Sequence, residues 1–150
     1  MRFTLDEANA LIPELTRRLE AAHTELAPVY EEVRTANEAL LACEWKMRLA
    51  RQEGAPRISM QELQSAWDEA AAHLVATKGM LDEREDAWVR LIQRSAVLVR
   101  HLQAGLVDFP AKGGHPEAFF CWQLGEPEIA YWHPQGDHET ETRLPLHEPA

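Results

Sequence analysis

Side chains that bind transition metals are concentrated in the C-terminal third of the chain. A carboxylate, a thiolate and an imidazole form a ligand set that zinc and related divalent ions accept. The pattern predicts a metal site here, with a divalent transition metal as the cofactor. In the alternative interpretation, Cys121 is a small buried hydrophobe and His133 is a hydrogen-bonded strand residue. The candidate ligands are Asp108, Cys121, Glu126 and His133.

A second candidate site lies near the start of the chain, where Glu20 and His23 are three residues apart. On a helix, this Glu-x-x-His spacing is the one that di-iron carboxylate bundles use. Such a site needs carboxylates from a second helix, which a bundle formed by two helical hairpins would supply. The alternative interpretation is a solvated helix face, because the motif lacks its repeat.

Basic residues cluster in the middle of an otherwise acidic chain. The formal net charge is −10, yet Arg48, Arg51 and Arg57 lie close together beside Trp45. This cluster predicts a surface for an acidic partner or a phosphate group, and the alternative is ordinary solvated charge. The net negative charge of the whole chain disfavours broad binding to nucleic acid, because the phosphate backbone would repel it.

Several common kinds of function have no support in the residue pattern. The chain has no glycine-rich phosphate loop, no Gly-x-Ser-x-Gly and no Cys-x-x-Cys, so we expect a protein that is not an enzyme. No apolar run reaches the ~20 residues that a membrane-spanning helix needs, and the N-terminus lacks the apolar core of a secretory signal. Two distant cysteines fit a reducing compartment. We therefore expect a cytoplasmic protein without a membrane partner.

Two long helices are the elements that must position these residues. Two apolar seams predict these helices. The second seam begins after the helix-breaking residues Gly54-Ala55-Pro56 and continues to Leu102, and Gly105 is the expected end of its helix. Two such helices and a short linker predict an antiparallel coiled-coil hairpin over 4–104, with its tip near 53–58. The first seam alternates between spacings of three and four residues, at Leu5, Ala8, Ile12, Leu15, Leu19, Ala22, Leu26, Val29, Val33, Ala36, Leu40, Cys43, Met47 and Ala50.

Local signals mark the helix starts. Thr4 and Ser59 each begin a four-residue capping-box pattern that ends in glutamate. Pro13 would suit the first turn of a new helix, because a proline there lacks only a hydrogen bond that the first turn does not make. The sequence therefore predicts a short helix over 4–11, followed by the long one.

Two large apolar residues lie off the first seam, near the predicted tip. Leu41 and Trp45 are four residues apart and share a helix face. They predict a second packing surface, which we interpret as a dimer contact. A locally broad seam is the alternative.

The C-terminal segment follows a different pattern. Aromatic runs at 117–124 and 128–133 surround a Gly-Glu-Pro turn, which predicts a β-hairpin. We expect a small β element over 105–133, packed on the end of the helices, because an isolated hairpin is marginal in water. Residues 134–150 read as loop or tail. The whole chain, 1–150, is predicted to be one mainly α domain.

Four segments resemble an uncharacterised bacterial family, a domain of unknown function. Residues 3–9, Phe-Thr-Leu-Asp-Glu-Ala-Asn, are similar to its FTLEEAN-type N-terminus. Residues 105–110, Gly-Leu-Val-Asp-Phe-Pro, residues 121–126, Cys-Trp-Gln-Leu-Gly-Glu, and residues 131–133, Tyr-Trp-His, resemble its C-terminal motifs. The resemblance covers nearly the whole chain and implies one domain in a bacterial setting. It implies no activity.

Two classes of function remain open at this point. A long helical hairpin is typical of spacers, adaptors and assembly factors, so we expect a non-enzymatic interaction protein that self-associates and binds a further protein. The alternative is a metal-binding protein, with its site in the C-terminal β region or in a helical bundle.

Overall fold

The computed structural model describes residues 1–53, 59–113, 117–136 and 143–147. The chain divides into two compact units. The terminal unit combines Met1–Thr24 with Asp86–Ala150, and the central unit is Glu25–Glu85. The predicted tip near 53–58 lies mostly outside the described residues, which end at 53 and resume at 59.

Helix α1 runs without interruption over Leu5–Glu53. The capping box at its start is confirmed, because Thr4 N donates to Glu7 Oε2 at 2.9 Å and Glu7 N donates to Thr4 Oγ1 at 3.2 Å. The predicted short helix over 4–11 is wrong, because α1 continues through Pro13. A proline inside a helix costs ~3 kcal/mol, and burial of Ile12 and Leu15 on either side offsets that cost.

The first apolar seam is the face of α1 that packs. Every one of its fourteen predicted positions is buried or half-buried, while most of the residues between them are exposed. Leu15, Leu19 and Leu26 are completely buried. The alternation of threes and fours therefore identified the packed face of the whole helix correctly.

In the central unit, α1 packs against helix α2, which spans Met60–Gln93. Met47 and Ala50 of α1 form a small core with Leu63 of α2. Toward the other end of the unit, the Tyr30 hydroxyl donates to Glu85 Oε2 at 3.3 Å. Residues late in α1 thus contact residues early in α2. Tyr30, earlier in α1, contacts Glu85, late in α2, so the two helices are antiparallel.

Helix α2 ends eleven residues earlier than the sequence pattern predicts, at Gln93 instead of 104. Ala96 adopts a left-handed conformation with φ of 63°, which terminates the helix in the way that glycine usually does. The chain then forms strand β1, Leu98–His101. Gly105, the predicted helix stop, lies instead in the turn that follows β1, with φ of 70°.

The β element is larger than the predicted hairpin. Strands β2 (Leu106–Pro110), β3 (Ala118–Gln123), β4 (Tyr131–Pro134) and β5 (Leu144–Pro145) follow β1. Each strand pairs antiparallel with the next, which makes a five-stranded meander in the order β1-β2-β3-β4-β5. The prediction of a β element is confirmed, but its start at 105 and the assignment of all of 134–150 to loop are wrong.

One face of this sheet carries the apolar core of the terminal unit. Val107, Phe109 and Trp122 are completely buried. The N-terminal Phe3 packs edge-on against Phe109, with ring centroids 5.5 Å apart. Backbone hydrogen bonds hold Phe3 in place, from its N–H to Pro110 O at 2.7 Å and from Lys112 N to its carbonyl at 2.8 Å. Since side chains alternate along a strand, the residues between these core positions project from the opposite face.

No helix in the described part of the chain is both long enough and apolar enough to cross a lipid bilayer.

Candidate functional site

Asp108 is the centre of a polar cluster on the second face of the sheet. It lies in the middle of β2 and is completely buried. The Nε of Arg100, from β1, donates to Asp108 Oδ2, and His133 Nε2, from β4, lies 2.8 Å from the same oxygen. The other carboxylate oxygen, Oδ1, is buried without a hydrogen-bond partner among the described residues. Side chains from three strands of the sheet, β1, β2 and β4, thus meet at one carboxylate.

His133 is fixed by contacts on its edge and on its ring face. Its Nδ1 lies 3.1 Å from the carbonyl oxygen of Pro134, so each ring nitrogen faces an oxygen atom. The ring stacks on Phe119, with centroids 5.4 Å apart and an angle of 22° between planes. The Arg100 guanidinium lies 5.8 Å from the centroid of the same Phe119 ring, at a distance typical of a cation–π contact.

The sheet register places Cys121 in this cluster. Cys121 pairs with Asp108 on one side and with Tyr131 on the other. His133 pairs with Phe119, two residues along β3, so Cys121 and His133 share a face as diagonal neighbours. Burial raises the pKa of the Cys121 thiol, and the negative charge of Asp108 raises it further. The thiol is therefore held in its protonated, weakly nucleophilic form.

Arg143 covers the edge of the cluster. Its Nη2 donates to Glu126 Oε1 at 2.5 Å and to the Cys121 carbonyl oxygen at 3.4 Å. Its guanidinium lies 4.1 Å from the centroid of the Tyr131 ring. Its Nε is buried without a hydrogen-bond partner among the described residues. Glu126 also binds the turn after β3, because Gln123 N donates to its Oε1 at 2.6 Å.

Three of the four predicted metal ligands, Asp108, Cys121 and His133, share one face of the sheet, whereas Glu126 lies in the turn after β3. Asp108 binds Arg100 and His133, and Glu126 binds Arg143. In the described ranges, no group of three or more His, Cys, Asp and Glu side chains is arranged to hold a metal ion. What the structure presents here is a buried ion-pair network.

Sequence reasoning missed the two arginines of this network. Arg100 was assigned to a helix because Leu98 and Leu102 continue the three-four spacing of α2. Arg143 lies in a segment that reads as polar tail. The apolar run Val97, Leu98 and Val99 is too short to distinguish a strand from a helix end.

The predicted Glu-x-x-His pair occupies the part of α1 that belongs to the terminal unit. Glu20 is exposed, whereas His23 is half-buried. The Nε2 of His23 lies 2.7 Å from the carbonyl oxygen of Leu102, in the turn between β1 and β2. In this arrangement His23 serves to connect α1 to the sheet.

The predicted partner-binding residues lie at one end of the central unit, except for Arg57, which falls outside the described residues. Trp45 is 57% exposed, and Leu41, one turn earlier, is 55% exposed. Arg48 and Arg51 are exposed on the next turns of α1. Within the described residues, neither arginine forms an ion pair, in contrast to Arg34, which binds both Glu31 and Glu38.

A groove of about 490 Å³ opens between α1 and α2 at this end of the central unit. Its apolar base is formed by Met47, which is buried, and by the half-buried ring of Trp67. The indole Nε1 of Trp67 donates to Glu44 Oε1 at 3.4 Å, which orients the ring across the groove. The lining residues are Glu44, Met47, Arg48, Arg51, Gln52, Gln64 and Trp67.

The fold and these two sites define a mainly α protein with two packed helices and an antiparallel sheet that holds a buried ion-pair network. Residues 2–146 match the model of a family described as uncharacterized conserved protein (DUF2203), and the chain belongs to that family. The match confirms the resemblance of the chain to an uncharacterised family. No curated protein and no solved structure matches the chain.

Proposed function

We propose that this chain is a non-enzymatic interaction protein, an adaptor that binds an acidic segment of another protein at the end of its central unit. The observation that carries the proposal is the groove between α1 and α2, which is lined by Arg48 and Arg51. An apolar base with a charged rim is the usual composition of a protein-binding surface.

Charge favours an acidic occupant. Among the described residues, Glu44 is the one acidic residue of the lining, against two arginines, and it already accepts a hydrogen bond from Trp67. An acidic segment that carries an apolar side chain would neutralise the arginines and cover Met47 and Trp67. Exposed charges of this kind raise the association rate and set the choice of partner more than they raise affinity.

Binding of a defined peptide pair tests this proposal. The probe is a short fluorescein-labelled peptide that forms an amphipathic helix with glutamates on one face and leucines on the other. Its counterpart has lysines in place of the glutamates. We expect fluorescence anisotropy to rise with the acidic peptide alone, and Arg51→Glu to weaken binding about fivefold, since one reversed surface charge costs ~1 kcal/mol.

Lys78→Glu provides the matched control, because Lys78 is exposed on α2 of the same unit and is not a lining residue of the groove. This variant changes the net charge by the same amount and should bind the acidic peptide as the original protein does. Equal binding of both peptides, or no binding of either, would contradict the proposal.

The alternative of a metal-binding protein has a direct test of its own. We expect elemental analysis of the untagged protein to find no stoichiometric transition metal, because Arg100 and His133 already occupy Asp108 Oδ2. A stoichiometric metal that disappears in the His133→Ala variant would establish the metal-binding function instead.

A further inference from the structure

A second stripe of residues runs along α1 on an exposed face. Its positions alternate between spacings of four and three, which places them in line along one side of a helix. Every member is exposed, and the two central ones are the large apolar side chains Leu41 and Trp45. We call this set the outer stripe; it consists of Arg34, Glu38, Leu41, Trp45, Arg48 and Gln52.

The outer stripe is complementary to itself when it is read in the opposite direction. With a two-fold axis level with residue 43, Leu41 lies opposite Trp45 of a second copy. The same axis places Glu38 opposite Arg48, because 38 and 48 are equally far from 43. Each pair occurs twice, as a closed two-fold interface requires. Two apolar contacts at the centre are thus flanked by two pairs of opposite charge.

We propose that the protein forms an antiparallel homodimer through the outer stripe, with Leu41 against Trp45 and Glu38 against Arg48 of the second copy. The proposal goes beyond the groove between α1 and α2. The outer stripe shares Arg48 and Gln52 with the lining of that groove, whereas Glu38, Leu41 and Trp45 are not lining residues.

Charge selects this alignment over the parallel one. A parallel, in-register pair would place Glu38 against Glu38 and Arg48 against Arg48, and such like-charge contacts disfavour association. Within one chain, Arg34 binds Glu31 as well as Glu38. Glu38 can therefore turn toward Arg48 of the second copy while Arg34 keeps a carboxylate partner.

The size of the stripe sets the strength of the dimer. From Arg34 to Gln52 the stripe covers about 27 Å of helix axis at ~1.5 Å per residue. One face of a single helix of this length buries less than the ~800 Å² per partner of a standard interface. We therefore expect a weak dimer, with a dissociation constant on the order of micromolar, whose population depends on protein concentration.

Charge reversal and its rescue test the dimer by analytical ultracentrifugation of the full chain. We expect the original protein to associate, and Glu38→Arg or Arg48→Glu alone to weaken association at least about tenfold, since each variant places like charges together twice. The double variant should associate as the original does, because the pairs are restored with exchanged positions. An equimolar mixture of the two single variants should form a heterodimer for the same reason.

Glu32→Arg is the matched control, because Glu32 is exposed on α1 outside the outer stripe and changes the charge as Glu38→Arg does. It should leave association unchanged, and circular dichroism should show equal helix content in all variants. The proposal is overturned by a monomeric original protein at high concentration, by single variants that stay dimeric, or by a mixture that stays monomeric. Glu38→Arg changes no lining residue of the groove, so its effect on the mass is independent of the peptide-binding result and either proposal can fail alone.

Discussion

Asp108 shows how one residue can hold three strands together. Its Oδ2 receives Arg100 from β1 and His133 from β4, while Asp108 itself belongs to β2. A carboxylate buried at this depth is stable only because contacts with Arg100 and His133 replace the water it has lost. The network is therefore expected to contribute to stability as a whole, and removal of the carboxylate should remove the oxygen that Arg100 Nε and His133 Nε2 share.

Asp108→Asn is the substitution that tests this role with the least change of shape. We expect it to lower the free energy of unfolding by about 3 kcal/mol, the magnitude typical when one partner of a buried ion pair is removed. Urea unfolding followed by tryptophan fluorescence measures the change. Glu117→Gln, at an exposed pair with Arg2, should change stability by less than ~0.5 kcal/mol. If Asp108→Asn lowered the free energy of unfolding no more than Glu117→Gln does, the Asp108 carboxylate would not be needed for stability.

The two cysteines should differ sharply in reactivity. Cys43 is half-exposed on α1, whereas Cys121 is buried and its thiol pKa is raised by that burial and by Asp108. A thiol-specific chromogenic reagent near neutral pH should modify one thiol quickly and the second only after unfolding, because the thiolate is the reactive form. The Cys43→Ala variant should lose the fast phase. A fast phase that survives in this variant would show that Cys121 is accessible.

At this scale, residue types were more predictable than their roles. Asp108, Cys121 and His133 were recognised as a cluster because their chemistry is rare in an aromatic segment. Their role depended on Arg100 and Arg143, which come from elements that the sequence pattern had assigned to a helix and to a tail. A carboxylate beside a histidine predicts a metal site, but here the carboxylate also binds Arg100, and only the strand register brings Arg100 to it.

Helix α2 ends where the sequence has neither glycine nor proline to mark the end. Ala96 has φ of 63°, a conformation that costs a residue with a Cβ roughly 1 kcal/mol. We expect Ala96→Gly to stabilise the protein by up to ~1 kcal/mol, because glycine adopts this conformation freely. Thermal unfolding measures the gain.

Gly105→Ala is the opposite case and serves as the comparison. An added Cβ at Gly105 would lie 2.5 Å from Leu124 Cβ, so this substitution should destabilise the protein. If Ala96→Gly also destabilised it, the left-handed conformation would not be what terminates α2.

The elements could be predicted wherever a pattern was long. The seam of α1 repeats over fourteen positions, and averaging over so many turns identified its packed face despite Pro13. The strands of the meander are two to six residues long, which is too short for a period to be measured. For this reason the sequence pattern does not predict β1, because Leu98 and Leu102 fit a helical spacing by coincidence.

On the scale of the whole molecule, the central unit is an insertion into the terminal unit. The contacts that fix the terminal unit lie inside it: His23 to Leu102, Arg18 to the Leu91 carbonyl, and Phe3 to Pro110. We expect a chain in which a short Gly-Ser linker replaces residues 25–85 to fold into the terminal unit, with Trp122 buried.

Fluorescence and urea unfolding of this shortened chain measure the result. Trp122 is completely buried in the full chain and its Nε1 donates to the Glu126 carbonyl oxygen at 2.9 Å. A blue-shifted emission that is lost in one cooperative transition is the expected outcome. Red-shifted emission without a transition would show that the terminal unit depends on the central one.

The backbone bonds of Phe3 have a consequence for synthesis of the chain. Phe3 can pair with Pro110 and Lys112 only after β2 has been translated, whereas both helices of the central unit are complete by then. At about 5–20 residues per second, Leu15 and Leu19 wait several seconds for the sheet that belongs to their unit. During that interval Leu15 and Leu19 have no sheet to pack against, so we expect this face of α1 to be accessible to chaperones and proteases.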